Sequence, residues 1–248
     1  MYYRYKDIKI LEKLKSKYSF LNKVNLFLTR HGESEGNVIQ NRVINEQVNI
    51  PPEERIADYR LKLTSKGEIQ AKELGKKINN LIKKGSLDKN KTLVLVSPYE
   101  RTRKTFEIAN EIIQFDLKKV HVLNSLREQS FGAFDFVSRT RKKSEFPKEY
   151  AEYSRNDLHF YRQQYLGESP ADVCDRLYSV LFFLKEYLER EKDENIFIFG
   201  HGCANRCLIM DIFNLPPEFY DDFQINDNCS IISIEKGNWK GGISLPQV

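Results

Sequence analysis

The sequence predicts an α/β protein, a three-layer α/β/α sandwich around a mainly parallel sheet. Short apolar runs alternate with segments of helical apolar spacing, the pattern of strands joined by crossover helices and covered on both faces. Each run is followed by residues of chemical consequence, which suits a sheet whose strand ends gather a site. No internal repeat and no Gly/Ser linker divides the 248 residues, so one domain over 24–248 is the simplest account.

Residues 4–23 open the chain, with Leu11, Leu14, Tyr18 and Leu21 at 3-4-3 spacing. That reads as an amphipathic helix with a basic outer face, an N-terminal extension over 1–23. Its apolar stripe would pack on its own domain, or touch a membrane surface or a second copy in a homodimer. VNLFLT (24–29) is the first strand. Residues 65–84 repeat Ala71, Leu74, Ile78 and Leu81 at helical spacing, with Ser65 and Glu68 as a capping box. TLVLV (92–96) is the second strand, 102–113 a helix, and VHVL (120–123) a third strand. Ser169-Pro170-Ala171-Asp172 combines an N-cap, a proline at the first helical position and an acid three residues after the cap. Val173, Leu177, Leu181, Leu184 and Leu188 mark the buried stripe of the helix that follows. IFIF (196–199) and 229–234 complete five strands. Stretches 38–60 and 131–168 fit neither rhythm; loops of that length are functional or carry helices of their own, and 131–168 reads as an insertion capping the substrate.

Composition narrows the class. The chain is 40% hydrophobic and 30% charged, ordinary for a soluble globular protein, and no run approaches the roughly 20 apolar residues of a membrane span. The N-terminus lacks the apolar core of a secretory signal, so a cytoplasmic location is expected. Forty Lys and Arg against 35 Asp and Glu give +5, a mild preference for anionic ligands, and no nucleic-acid-binding pattern is present. Of four cysteines, Cys203 and Cys207 lie one helical turn from each other beside His201, half a metal site without its second half. Buried free thiols are the expectation, with no metal and no cofactor.

The residues after the strands suit phosphoryl transfer. The first strand is followed by Arg30-His31-Gly32-Glu33-Ser34-Glu35-Gly36-Asn37, the second by Ser97-Pro98-Tyr99-Glu100-Arg101, the third by Leu126-Arg127-Glu128, and the fourth by Gly200-His201-Gly202. Guanidinium groups at Arg30 and Arg101 bind phosphoryl oxygens bidentately and stay charged at any working pH. A neutral imidazole at His31 is a competent nucleophile near neutral pH. Glu128 could protonate the leaving oxygen, or pair with Arg127 or Arg103 instead. Asn37 could contact phosphate or merely cap a helix. The run Arg139–Lys143 could steer an anionic substrate, though such runs are more often solvated faces. Phe131, Phe134, Phe136, Tyr161 and Tyr165 either roof the pocket or hold the 131–168 segment in place.

These strings together resemble the histidine phosphatase superfamily, with its phosphoglycerate mutase-like fold. Arg30–Asn37 resembles its R-H-G-E-S-x-x-N element, 63–71 its L-T-x-x-G-x-x-Q-A helix start, and 97–105 its S-P-x-x-R-T-x-x-T element. Leu126-Arg127-Glu128 matches the position of the general acid, 167–176 the G-E-S-x-x-D-x-x-x-R helix, and Gly200-His201-Gly202 the second histidine. The resemblance runs in order from Val24 to Glu235. It implies a metal-independent phosphomonoesterase with His31 phosphorylated, Glu128 as acid, and Arg30, Asn37, Arg101 and His201 on the phosphate. The dedicated mutases carry W-x-D-x-x-L-T where this chain has Arg60-Leu61-Lys62-Leu63-Thr64, and Asn where it has Cys203. Those departures favour the broad-specificity phosphatase branch acting on a small phosphate ester. A phosphoglycerate mutase and a non-catalytic phosphate-binding protein are the rivals.

Overall fold

In the computed structural model, residues 15–45, 48–221 and 227–243 are described. Chain order gives β1 (Asn25–Arg30), α1 (Glu35–Ile44), α2 (Ser65–Lys83), β2 (Thr92–Val96), α3 (Glu100–Ile113), β3 (Val120–Val122) and α4 (Arg139–Glu145). Then follow α5 (Pro147–Arg155), α6 (Pro170–Arg190), β4 (Asn195–Gly200), α7 (Gly202–Phe213), β5 (Ile231–Glu235) and β6 (Asn238–Ile243). The sheet order is β3-β2-β4-β1-β5-β6. The first four strands run parallel, while β5 and β6 are antiparallel additions.

Side-chain alternation along the strands divides the core in two. Leu26, Leu28, Leu93, Leu95, Ile196 and Ile198 face α6 and α7, against Val173, Leu177, Leu184, Cys207 and Leu208. Phe27, Val94, Val96, Phe197 and Phe199 face α2 and α3, against Leu74, Ile78, Phe106, Ala109 and Ile113. The result is the expected three-layer arrangement. α6 begins as its sequence requires: Ser169 accepts from the amide of Asp172, and the Asp172 carboxylate accepts from the amide of Ser169.

Three local expectations change. The helix expected over 4–23 lies largely outside the described residues. In its described part, Lys15 bridges to Asn238 and Ser19–Lys23 forms a 3-10 turn rather than an α-helix. The cap of α2 is Thr64, not Ser65, its hydroxyl accepting from the amide of Gly67. The sixth strand went unread because NWKGGI carries little apolar signal; the two-residue turn before it, Lys236-Gly237, holds both residues at positive φ, the geometry that matches the strand twist. The irregular stretches carry helix as well: α1 runs on into 38–60, and α4 and α5 occupy 131–168. No described helix is long and apolar enough to cross a membrane.

Candidate active site

Parallel register aligns the strand ends that matter. Arg30 sits opposite Gly200, and Val96 opposite Phe199. The amide of His31 continues the ladder to the carbonyl of Gly200 at 3.1 Å, and that of Ser97 to Phe199 at 3.0 Å. Three chain segments, carrying His31, Ser97 and His201, therefore leave the sheet side by side.

The turn after β1 is stitched to the start of α2. Thr64 donates its amide to the carbonyl of Glu33 at 2.9 Å, Glu35 donates to that of Lys62 at 2.9 Å, and the Gln70 side chain accepts from the amide of Glu33 at 2.7 Å. Gly32 and Gly67 make this possible, because a methyl on either would strike the other segment's backbone. The L-T-x-x-G-x-x-Q string thus serves the R-H-G turn.

His31 is buried, and its Nδ1 lies 2.7 Å from the carbonyl oxygen of Gly32. A carbonyl can only accept, so Nδ1 bears the proton and Nε2 the lone pair. That lone pair accepts from Nε of Arg101 at 3.1 Å. Burial, reinforced by the charges of Arg101 and Arg30, holds the His31 pKa well below the usual histidine value, so the ring is neutral.

Arg101, in the first turn of α3, is also buried and stacks over the ring of Tyr99. Its outer nitrogens reach Asp58: Nη1 donates to Oδ1 at 2.8 Å and to the Asp58 carbonyl at 2.7 Å, and Nη2 donates to Oδ2 at 3.1 Å. His201 packs behind His31 with ring centroids 5.2 Å apart. The Ser97 hydroxyl lies 2.7 Å from its Nε2 and the Thr102 hydroxyl 3.2 Å from the same nitrogen. Nδ1 of His201 is buried without a hydrogen-bond partner among the described residues. Burial, and Arg101 after it, pushes this histidine's pKa well down too.

Glu128 is held by amides. Its Oε1 accepts from Gln129 at 3.0 Å and Ala204 at 3.2 Å, and its Oε2 from Cys203 at 3.3 Å. The latter two amides belong to the first turn of α7, whose donors lack helical partners. It does not pair with Arg127, which binds Glu168 at 2.6 Å, as Arg176 does at 2.9 Å. Asn37 does cap: its Oδ1 accepts from the Ser34 amide at 3.1 Å, completing the capping box of α1, and from Asn228 at 3.3 Å.

Arg30, His31, Asn37, Arg101 and Glu128, five of the six residues expected from sequence, line one cavity of about 200 Å³. His201 is not among its lining residues; fully buried, it packs against the ring of His31. A larger groove of about 810 Å³ along α5 and residues 161–166 contains none of the six. Sequence reasoning missed Asp58 and Asp135, which share the small cavity with Phe131 and Phe136. Asp58 sits 43 residues from Arg101 in a stretch without periodicity, so no local signal announced the pair. Of the aromatics, Phe131 and Phe136 line the cavity, with Phe136 held at φ 51°, whereas Phe134 is buried against Phe146, Tyr153 and Tyr165. The basic run lies on α4, where Arg141 pairs with Glu145 and Lys142 covers the ring of Phe134. The thiols of Cys203 and Cys207 stand 3.8 Å apart; Cys207 is buried, but Cys203 is partly exposed, unlike the buried thiol expected. Among the described residues no three His, Cys, Asp or Glu side chains gather as metal ligands.

Comparison with known proteins places the chain in a family. Two phosphoglycerate mutase-like proteins of Arabidopsis thaliana are each 29% identical to the chain, over 221 and 226 residues, or 86% of its length. The chain spans 65% of the first and 74% of the second. An α-ribazole phosphatase from Shigella flexneri superposes with a TM-score of 0.66 at 23% identity, covering 88% of this chain and 95% of that one. A mycobacterial glucosyl-3-phosphoglycerate phosphatase bound to VO3 does so with a TM-score of 0.64 at 18% identity, covering 89% and 98%. These likenesses establish a shared fold. A family model of the histidine phosphatase superfamily, branch 1, matches residues 26–245, and the chain belongs to that superfamily.

Proposed function

We propose that the protein hydrolyses phosphate monoesters without a metal ion, through a phosphoryl group carried on Nε2 of His31. The observation that supports this most is the Nδ1 contact to Gly32, which leaves a neutral ring with its lone pair directed at the guanidinium of Arg101. A phosphoryl oxygen placed on that guanidinium stands beside the nucleophilic nitrogen. Arg30 adds a second cation, and His201, packed against the ring of His31, is a further contact for the phosphoryl group. Such preorganised charge stabilises the equatorial oxygens of the transition state.

In the first half-reaction Nε2 bonds to phosphorus as the ester P–O bond breaks, and the leaving oxygen takes a proton from the Glu128 carboxyl. The Gly32 carbonyl offsets the positive charge that develops on the ring. In the second, Glu128 takes a proton from water, the water oxygen bonds to phosphorus, and the N–P bond breaks to release inorganic phosphate and restore His31. Turnover of an aryl phosphate in the presence of a chelator tests the reading, with His31→Ala expected to abolish it. Metal-free activity that survives His31→Ala overturns it. Conversion of 3-phosphoglycerate to its isomer faster than its hydrolysis would favour the mutase instead.

A further inference from the structure

The cavity has a second half that the phosphate chemistry does not use. Once Arg30, His31 and Arg101 engage a phosphoryl group, its remaining charged side chains besides Glu128 are Asp58 and Asp135, flanked by Gln40, Phe131 and Phe136. Asp58 lines the cavity with its carboxylate across the outer nitrogens of Arg101. Asp135 forms no ion pair among the described residues, and the backbone of Phe136 bonds to it. Its burial, with Asp58 nearby, pushes its pKa up to about 6, so it is largely ionised at neutral pH. Arg55, Lys142 and Arg101 are the cations that act on it; of these only Arg101 lines the cavity, and its outer nitrogens are paired with Asp58.

We propose that Asp58 and Asp135 form an acidic wall that selects the alcohol half of the ester, accepting alcohols that offer hydroxyl or ammonium donors and rejecting those with a second anionic group. This rests on the phosphatase reading above and gives it a substrate class: monoesters of polyols or amino alcohols, rather than bisphosphates or phosphorylated acids. The carboxylates accept hydrogen bonds from such donors, and Phe131 and Phe136 cover the carbon skeleton. A carboxylate or second phosphate would meet the unpaired charge of Asp135, with that of Asp58 behind it, in a partly desolvated space.

Glycerol 3-phosphate and 3-phosphoglycerate differ only by a hydroxymethyl group in place of a carboxylate, which makes them a matched pair. Wild-type protein should favour glycerol 3-phosphate in kcat/KM by about tenfold or more, or 1.4 kcal/mol. Asp135→Asn should narrow that ratio at least about threefold, a change read within one variant and independent of its overall rate. Equilibrium binding of the same two esters to His31→Ala should show the same preference without turnover. A wild-type kcat/KM ratio of one or below, or the same absence of preference in binding to His31→Ala, overturns the wall, as does an unchanged ratio in a folded Asp135→Asn; should that variant not fold, the wild-type ratio decides. Absence of turnover on any aryl phosphate would instead overturn the phosphatase reading, and the binding ratio would still decide the wall.

Discussion

Two buried neutral histidines make the fold sensitive to mild acid. His31 and His201 both have pKa values held well below the ordinary 6.5, burial being the larger cause in each. Protonation is thus available to them chiefly in the unfolded chain. Below the unfolded pKa, the unfolded state binds more protons than the folded state, and stability falls as pH falls. From pH 7 to pH 5.5, each histidine costs about 1 kcal/mol, or roughly 2 kcal/mol for the pair. Asp135 works in the opposite direction. Its folded pKa of about 6 lies above its unfolded value, so protonation on acidification offsets up to about 1 kcal/mol of that. The expected net loss is on the order of 1–2 kcal/mol. Urea unfolding at the two pH values, in phosphate-free buffer, measures it. His31→Asn should remove roughly half of the histidine contribution, about 1 kcal/mol. A wild-type protein as stable at pH 5.5 as at pH 7, or an unaltered pH difference in His31→Asn, would refute the claim that these rings are neutral in the fold.

The site makes further demands. Glu128→Gln should lower kcat by about 100- to 10,000-fold on an alkyl phosphate and far less on p-nitrophenyl phosphate, whose leaving group needs no proton; equal losses on both would remove Glu128 from the acid role. Gly67→Ala, which drives a methyl into the carbonyl of Glu33, should shift the R-H-G turn and lower both Tm and kcat. A Gly67→Ala protein with native Tm and activity would show that the two backbones do not need their close approach.

Much of this was legible in the sequence, and the reasons are physical. β2 was read to the residue because four consecutive apolar residues follow Thr92 and the whole strand is buried on both faces. α6 was read from its first residue because Ser169, Pro170 and Asp172 each solve a problem peculiar to a helix start. β6 escaped since an edge strand needs no apolar run, and two glycines dilute what signal it has. At the site, Arg30, His31, Arg101 and Glu128 were found because topology brings the ends of parallel strands together. Asp58 and Asp135 were not, because they reach the cavity from irregular segments whose course depends on tertiary contacts, including the ion pair with Arg101 itself. His201 was identified as well, at the end of β4, and its fully buried ring packs against that of His31. Asn37 has the capping role that its sequence position allowed, on a residue that also lines the cavity.

The covalent step is the part of the mechanism most open to direct test. Wild-type protein mixed with a radiolabelled phosphate ester and quenched in alkali within one turnover should carry label on the peptide containing His31, in an acid-labile linkage. Label on another residue, or steady turnover with no protein-bound phosphoryl group at any quench time, would contradict the account.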